Sequence, residues 1–192
     1  MFQLKQFPSL MLIAATLTLS MLAPSVTAGF SREPGGPLVY HESNTKDLNL
    51  QSGSSWGRRR IIIDENGDGI PRGWGTITKV SVAVKLNDQT DPNQIIVNFG
   101  ALTSGVAVTL CGGGQFTGAP DCRPGKKTTY TSDVGITQLD RYIGRDLVDY
   151  WDLYVTGGGN GGKLLSFSVS FEIETADGNR KTRRVLRGGS SN

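Results

Sequence analysis

Among 192 residues there is one histidine, His41, and there are two cysteines, Cys111 and Cys122. With so few, most metallohydrolase and zinc-module sites cannot be assembled. A Ser-His-Asp triad needs an imidazole base, and His41 falls in a Pro/Gly-rich stretch where a lone side chain faces solvent. A tetrahedral zinc site needs three or four nitrogen, sulfur or oxygen ligands, and one histidine with two cysteines that export would oxidise furnishes it poorly. Excess charge is also missing. Lys+Arg 20 against Asp+Glu 17 leaves +3, too mild a balance to point to nucleic acid as a partner. Sustained helical periodicity is lacking as well. The nearest approach is residues 135–150, where Leu139, Tyr142, Ile143 and Leu147 suggest one short helical turn.

What is present begins with an address. Lys5 precedes a 13-residue apolar run at 10–22 (LMLIAATLTLSML), Pro24 breaks it, and Val26-Thr27-Ala28 place small residues at −3 and −1 of a cleavage site. This is the layout of a secretory signal peptide over residues 1–28. The run is shorter than the roughly 20 residues of a membrane-spanning helix. The expectation is therefore an exported chain, extracellular or periplasmic, with no membrane span after cleavage. In an oxidising compartment two cysteines most simply pair with each other. The segment between Cys111 and Cys122, GGGQFTGAPD, turns readily and lacks the C-x-x-C spacing of a redox site. A bridge closing so short a loop stabilises a domain by roughly 2–3 kcal/mol in the chain-entropy treatment.

Alternation with a period of two fills the second half of the chain. Val80, Val82, Val84 and Leu86 share one parity; so do Ile95, Val97 and Phe99, then Val106, Val108 and Leu110, then Trp151, Leu153 and Val155. The longest set is Leu165, Phe167, Val169, Phe171 and Ile173, against Ser166, Ser168, Ser170, Glu172 and Glu174. Such segments, punctuated by Gly, Asn, Asp and Pro, are half-buried antiparallel strands. The fold class is all-β: an antiparallel β-sandwich or jelly roll, galactose-binding-like, following a cleaved signal peptide. Residues 29–57 read as an extended Pro/Gly/Ser-rich arm with an edge strand near Leu38 and Tyr40 at most, 58–175 as the sandwich, and 176–192 as a basic flexible tail.

Several segments resemble the P domain (P/Homo B), the β-sandwich that follows the catalytic domain of kexin- and furin-like subtilases and recurs in secreted bacterial proteins. Residues 77–84 (ITKVSVAV) resemble its first long strand, 94–99 (QIIVNF) the next, and 104–110 (SGVAVTL) its Ser/Gly turn and following strand. Trp151-x-Leu153-x-Val155 and then Gly162-Lys163-Leu164-Leu165-Ser166-Phe167-Ser168-Val169 are similar to the family's G-x-W-x-L-x-V-x-D and G-x-L-x-x-W-x-L. The chain departs from the pattern at Asp149 (usually Gly), at Thr156-Gly157, at Phe167 (the second Trp), and at Asp91-Pro92-Asn93-Gln94 in place of R-G-D-L. The resemblance covers about half the chain. It implies an accessory module without catalytic residues, of the kind that helps a neighbouring catalytic domain fold or mediates adhesion and surface contacts. The partner stays open between a secreted protease and a surface glycan, and the proteolytic association itself belongs to relatives.

Few polar motifs compete with that reading. Asp140, Asp146, Asp149 and Asp152 cluster in sequence and read as a solvated loop, with paired-carboxylate chemistry as the alternative. The run 157–162 (GGGNGG) reads as a hairpin loop, because no Lys-Ser/Thr or helix follows it. Asp64-Glu65-Asn66-Gly67-Asp68-Gly69-Ile70 fits D-x-N-x-D-G, the first half of a calcium loop with Asp64, Asn66, Asp68 and the Ile70 carbonyl as ligands. Position twelve is Gly75, without a closing carboxylate, so an ordinary turn between strands is the other reading. No enzyme is expected. The leading function is a secreted binding or structural accessory module. The alternative is a carbohydrate- or surface-binding, adhesin-like module using Trp56, Trp74, Tyr130 and Tyr142 on a surface glycan.

Overall fold

The computed structural model describes residues 26–50, 56–113, 118–134 and 138–175. The signal-peptide and basic-tail readings, apart from Val26-Thr27-Ala28, lie outside the described residues. Two antiparallel sheets face each other. The first runs β1 (Val26–Arg32), β2 (Leu38–Asn44), β10 (Lys163–Thr175), β5 (Gly75–Leu86), β8 (Lys127–Thr131), with the short β3 (Leu48–Asn49) also pairing β10. The second runs β4 (Trp56–Ile63), β9 (Asp149–Thr156), β6 (Ile96–Ala101), β7 (Val106–Gly112). The all-β sandwich is thus the observed class, and among the described residues regular helix is confined to 3₁₀ turns at Ser132–Val134 and Leu139–Tyr142.

Alternation explains the sheets' inner faces. On β5, Val80, Val82, Val84 and Leu86 are buried while Lys79, Ser81 and Lys85 face out. On β9, Trp151, Leu153 and Val155 are buried. Rings join the two layers: Trp151 of the second sheet and Phe171 of the first have centroids 4.5 Å apart, and Phe99 stacks on Trp151 at 5.5 Å. Tyr142 closes the cluster edge-on to both. The polar handles of these rings are satisfied inside the core, as burial requires. Trp151 Nε1 donates to the Leu147 carbonyl at 3.0 Å and Tyr142 OH to the Phe99 carbonyl at 2.8 Å.

Three expectations need correction. Residues 29–57 are not an arm outside the domain. Seven residue pairs join β2 to β10, seven join β1 to β2, and Leu38 and Tyr40 belong to the core. The Pro/Gly content here serves the tight β1–β2 turn around Gly35, which has φ 77°. Secondly, Leu165 is not an inward residue of β10. A register shift between Leu164 and Ser166 rotates the strand, so Leu164 is buried and Leu165 only partly so; a bulge moves every side chain on one side of it to the other face. Thirdly, the 157–162 glycines do not form a hairpin, because β9 and β10 belong to different sheets. They carry the crossover, and a Cβ at Gly157 (φ 71°) would overlap the Gln94 carbonyl. Cleavage near Ala28 would leave β1 as residues 29–32.

Cys111 and Cys122 are bridged, with Cα atoms 4.9 Å apart. The bridge ties the end of β7 to the segment that leads into β8, one strand from each sheet.

Phe171 and the Leu164/Leu165 pair test this packing. Phe171→Ala should destabilise the fold by about 3–5 kcal/mol, read from the denaturant midpoint. Leu164→Ala should cost about 2–4 kcal/mol and Leu165→Ala distinctly less; the reverse order would place the bulge elsewhere.

Candidate functional site

Core burial on β9 forces its alternate residues outward. Tyr150, Asp152 and Tyr154 therefore lie on the outer face of the second sheet, beside Ile62, Arg60 and Arg58 of β4, to which they pair one by one. On the other side of β9, Gly100 pairs with Asp152 and Asn98 with Tyr154; across the next strand Gly100 meets Ala107 and Asn98 meets Thr109. The result is two cross-sheet rows, Arg60–Asp152–Gly100–Ala107 and Arg58–Tyr154–Asn98–Thr109.

Asp152 is 0% exposed although it points away from the core. Its cover consists of its own partners. Arg60 donates from Nε to Oδ1 and from Nη2 to Oδ2, both at 2.8 Å, a bidentate clasp. Arg58 Nε reaches Oδ1 at 3.2 Å, and Tyr154 OH donates to Oδ2 at 2.8 Å. That bond to the carboxylate, followed by slight burial, raises the Tyr154 pKa. The guanidinium of Arg60 lies 5.2 Å from the Tyr150 ring centre and that of Arg58 6.0 Å from the Tyr154 ring. Beyond Tyr154 a notch of about 180 Å³ opens over Gly100, walled by Leu102, Val106 and Ala107.

This face differs from its counterpart. The outer face of the first sheet carries Ser166, Ser168, Ser170 and Glu172 from β10 and Lys79, Ser81 and Lys85 from β5. Of the large apolar side chains exposed among the described residues, Leu102 at 51%, Ile62 at 47% and Tyr150 at 38% all adjoin the arginine cluster, and only Ile143 lies elsewhere.

The four clustered aspartates do not form a solvated loop. Asp149 and Asp152 are buried in β9, and only Asp140 is exposed. Nor do they pair for acid–base work. Asp149 accepts the backbone N–H groups of Thr103, Ser104 and Tyr150, and Asp146 those of Gly73 and Val148. These bonds fix the loops around a polar cleft of about 380 Å³ that Arg72 and Arg145 also line. His41 is not in a loop: it sits on β2, its Nδ1 2.7 Å from Ser170 Oγ across the strand pair. That pair occupies an open sheet face, and among the described residues the second ring nitrogen has no partner to orient it.

The exposed aromatic platform of the carbohydrate-binding reading is corrected outright. Trp74, Tyr130 and Tyr142 are buried; they serve the core, and the Trp56 side chain lies outside the described residues. The D-x-N-x-D-G segment closes as a turn. Asp64 Oδ1 accepts Gly67 N–H at 2.6 Å, Asp68 Oδ2 accepts Asp64 N–H at 3.3 Å, and the Asp64 carbonyl accepts the Asp68 and Ile70 N–H groups. Asn66 is exposed and the Ile70 side chain is core. Among the described residues no group of three or more His, Cys, Asp or Glu is arranged to hold a metal.

Tertiary structure adds a neighbour the sequence did not reveal. Glu42 of β2 is buried, takes a 2.7 Å hydrogen bond from Tyr40 OH and lies close enough to Asp68 for their charges to interact. Burial chiefly raises its pKa, Tyr40's hydrogen bond opposes this, and the Asp68 charge adds to the rise. Asp68 is raised by burial, against the Asp64 N–H bond and with the Asp64 charge.

No family model and no curated protein matches the chain. Among solved structures it is similar to the serine protease of Aeromonas sobria, at 13% identity and a TM-score of 0.40, over 77% of this chain and 36% of that one. Nothing about activity follows from a likeness at that level.

Two measurements test the site's electrostatics. Removing both guanidiniums (Arg58→Ala with Arg60→Ala) leaves a buried carboxylate unpaired and should cost about 3–5 kcal/mol, whereas Arg58→Ala alone should cost under about 1 kcal/mol, because Arg60 keeps its clasp. Glu42 and Asp68 have folded pKa values above their unfolded ones. They favour the folded state most when protonated, and that contribution is lost as pH rises through the folded pKa. Glu42→Gln should therefore be more stable than wild type at pH 7, with the difference vanishing below about pH 4. Melting in millimolar calcium and in EDTA should coincide. A calcium-dependent rise removed by Asp68→Asn would instead support the cation reading.

Proposed function

We propose that this chain is a secreted, non-catalytic β-sandwich serving as a binding or structural accessory module, resembling the P domain associated with subtilisin-like proteases. The observation that carries this reading is the use to which its reactive side chains are put. Asp146, Asp149 and Asp152 are occupied by backbone N–H groups or arginines, and Tyr142 and Trp151 by core packing. None of these groups is left for chemistry on a substrate. Phe167, where the chain departs from the family's second tryptophan, packs its ring toward Phe99 at 6.2 Å within the core. The Cys111–Cys122 bridge fits an oxidising compartment.

The purified chain should turn over no peptide, ester or glycoside substrate in a chromogenic panel. Hydrolysis abolished by Ser170→Ala or His41→Ala would replace this reading with an enzyme built on the β2–β10 pair. Exported material should also weigh two hydrogens less than the reduced sequence and resist alkylation before reduction.

A further inference from the structure

The outer face of the second sheet has the composition of a contact surface. Protein interfaces are enriched in Arg and Tyr and depleted in Lys, Glu, Ser and Ala. On the first sheet's outer face β5 and β10 contribute Lys79, Lys85, Glu172 and four serines, whereas on the second's β4 and β9 set Arg58, Arg60, Tyr150 and Tyr154 side by side, within one chain and one fold. We propose that this second face docks an extended, carboxylate-bearing segment of another protein. Arg58 and Arg60 take the carboxylate, and the Gly100 notch takes an adjacent aliphatic side chain. The proposal rests on the accessory-module reading and names the partner's chemistry.

Charge selects the occupant. Two guanidiniums against one carboxylate leave +1 on the cluster. Arg58 engages Asp152 through Nε only, so both its terminal amino groups have no hydrogen bond among the described residues, as does Nη1 of Arg60. The two terminal amino groups of Arg58 form a planar fork suited to a carboxylate, and Nη1 of Arg60 is a further donor. Asp152 and the tyrosine rings hold the fork in place before any partner arrives, which lowers the ordering cost of binding. A self-paired dimer would set this cation cluster against itself. The chain's own remaining segments do not fit either: residues 1–25 have Lys5 as their only charged side chain, and 176–192 set Arg180, Lys181, Arg183, Arg184 and Arg187 against Asp177. Sugar stacking is disfavoured because a guanidinium already lies over each tyrosine ring. The notch is mostly apolar and of side-chain size, and it adjoins Tyr154, so one anchor and one acid of the same segment reach both.

The test is panning of a phage-displayed random dodecapeptide library on the full chain, followed by titration of the synthetic consensus peptide. The expected consensus pairs Asp or Glu with Val, Leu or Ile within two residues, and its affinity falls with added salt. Arg58→Glu and Ala107→Phe should each weaken it at least about tenfold, and Lys85→Glu on the opposite face should not. Both variants are expected to fold, since Arg60 keeps Asp152 paired and residue 107 is exposed; unchanged melting curves verify this. A consensus without an acid, no enrichment, or binding that survives both variants overturns the proposal. So does glycan-array binding, or concentration-dependent dimerisation, that the same two variants abolish. Failure here leaves the absence of turnover intact, and turnover dependent on Ser170 leaves this peptide result intact, so the two readings fail separately.

Discussion

The contact between Trp151 and Phe171 is the constraint on which the remainder of the molecule depends. With centroids 4.5 Å apart, these rings join the two sheets, and Phe99 and Tyr142, themselves in edge-on contact, both pack against Trp151. Large rings dominate core energetics, each burying surface worth roughly 1.5–3 kcal/mol. The consequence reaches beyond the core. Once Trp151 faces inward, Asp152 must face outward, because a strand has period two and a one-residue slip would reverse every side chain. The arginine face is therefore positioned by the core's alternation as much as by its own hydrogen bonds.

A carboxylate with no exposed surface on the outside of a sheet is an unusual arrangement. Its burial comes from lateral cover by Arg58, Arg60 and Tyr154 rather than from depth. Such an assembly is a weak source of net stability, since desolvation offsets much of the attraction. Its effect is geometric. It fixes two long, otherwise mobile side chains in one orientation. The acids near the Asp64–Asp68 turn show the contrary case: Glu42 and Asp68 are desolvated together without a guanidinium, so their charged forms are disfavoured.

Much of the fold was legible before any coordinates. Alternation identified the inward residues of β5, β6 and β9, and the cysteine pair implied its own bridge once export was inferred. The errors came where a local feature was outvoted. The bulge that displaced Leu165 in favour of Leu164 leaves no mark in composition. The Pro/Gly-rich start resembles an arm in sequence because its turn residues obscure the short run of β2 between them. The 157–162 glycines suggested freedom, yet close approach to Gln94 and Leu50 is what requires them.

The sequence by itself determined the class of fold, the parity of most strands and the poverty of catalytic groups, because each of these depends on residue type and near-neighbour spacing. Only the tertiary structure decided that β4 lies beside β9, bringing Arg58 and Arg60 onto an aspartate more than 90 positions away. It likewise decided that Glu42 approaches Asp68 and that Trp74, Tyr130 and Tyr142 turn inward. These are properties of strand order and register. A strand's own residues say which faces it has, and its neighbours are set by the burial of every strand at once.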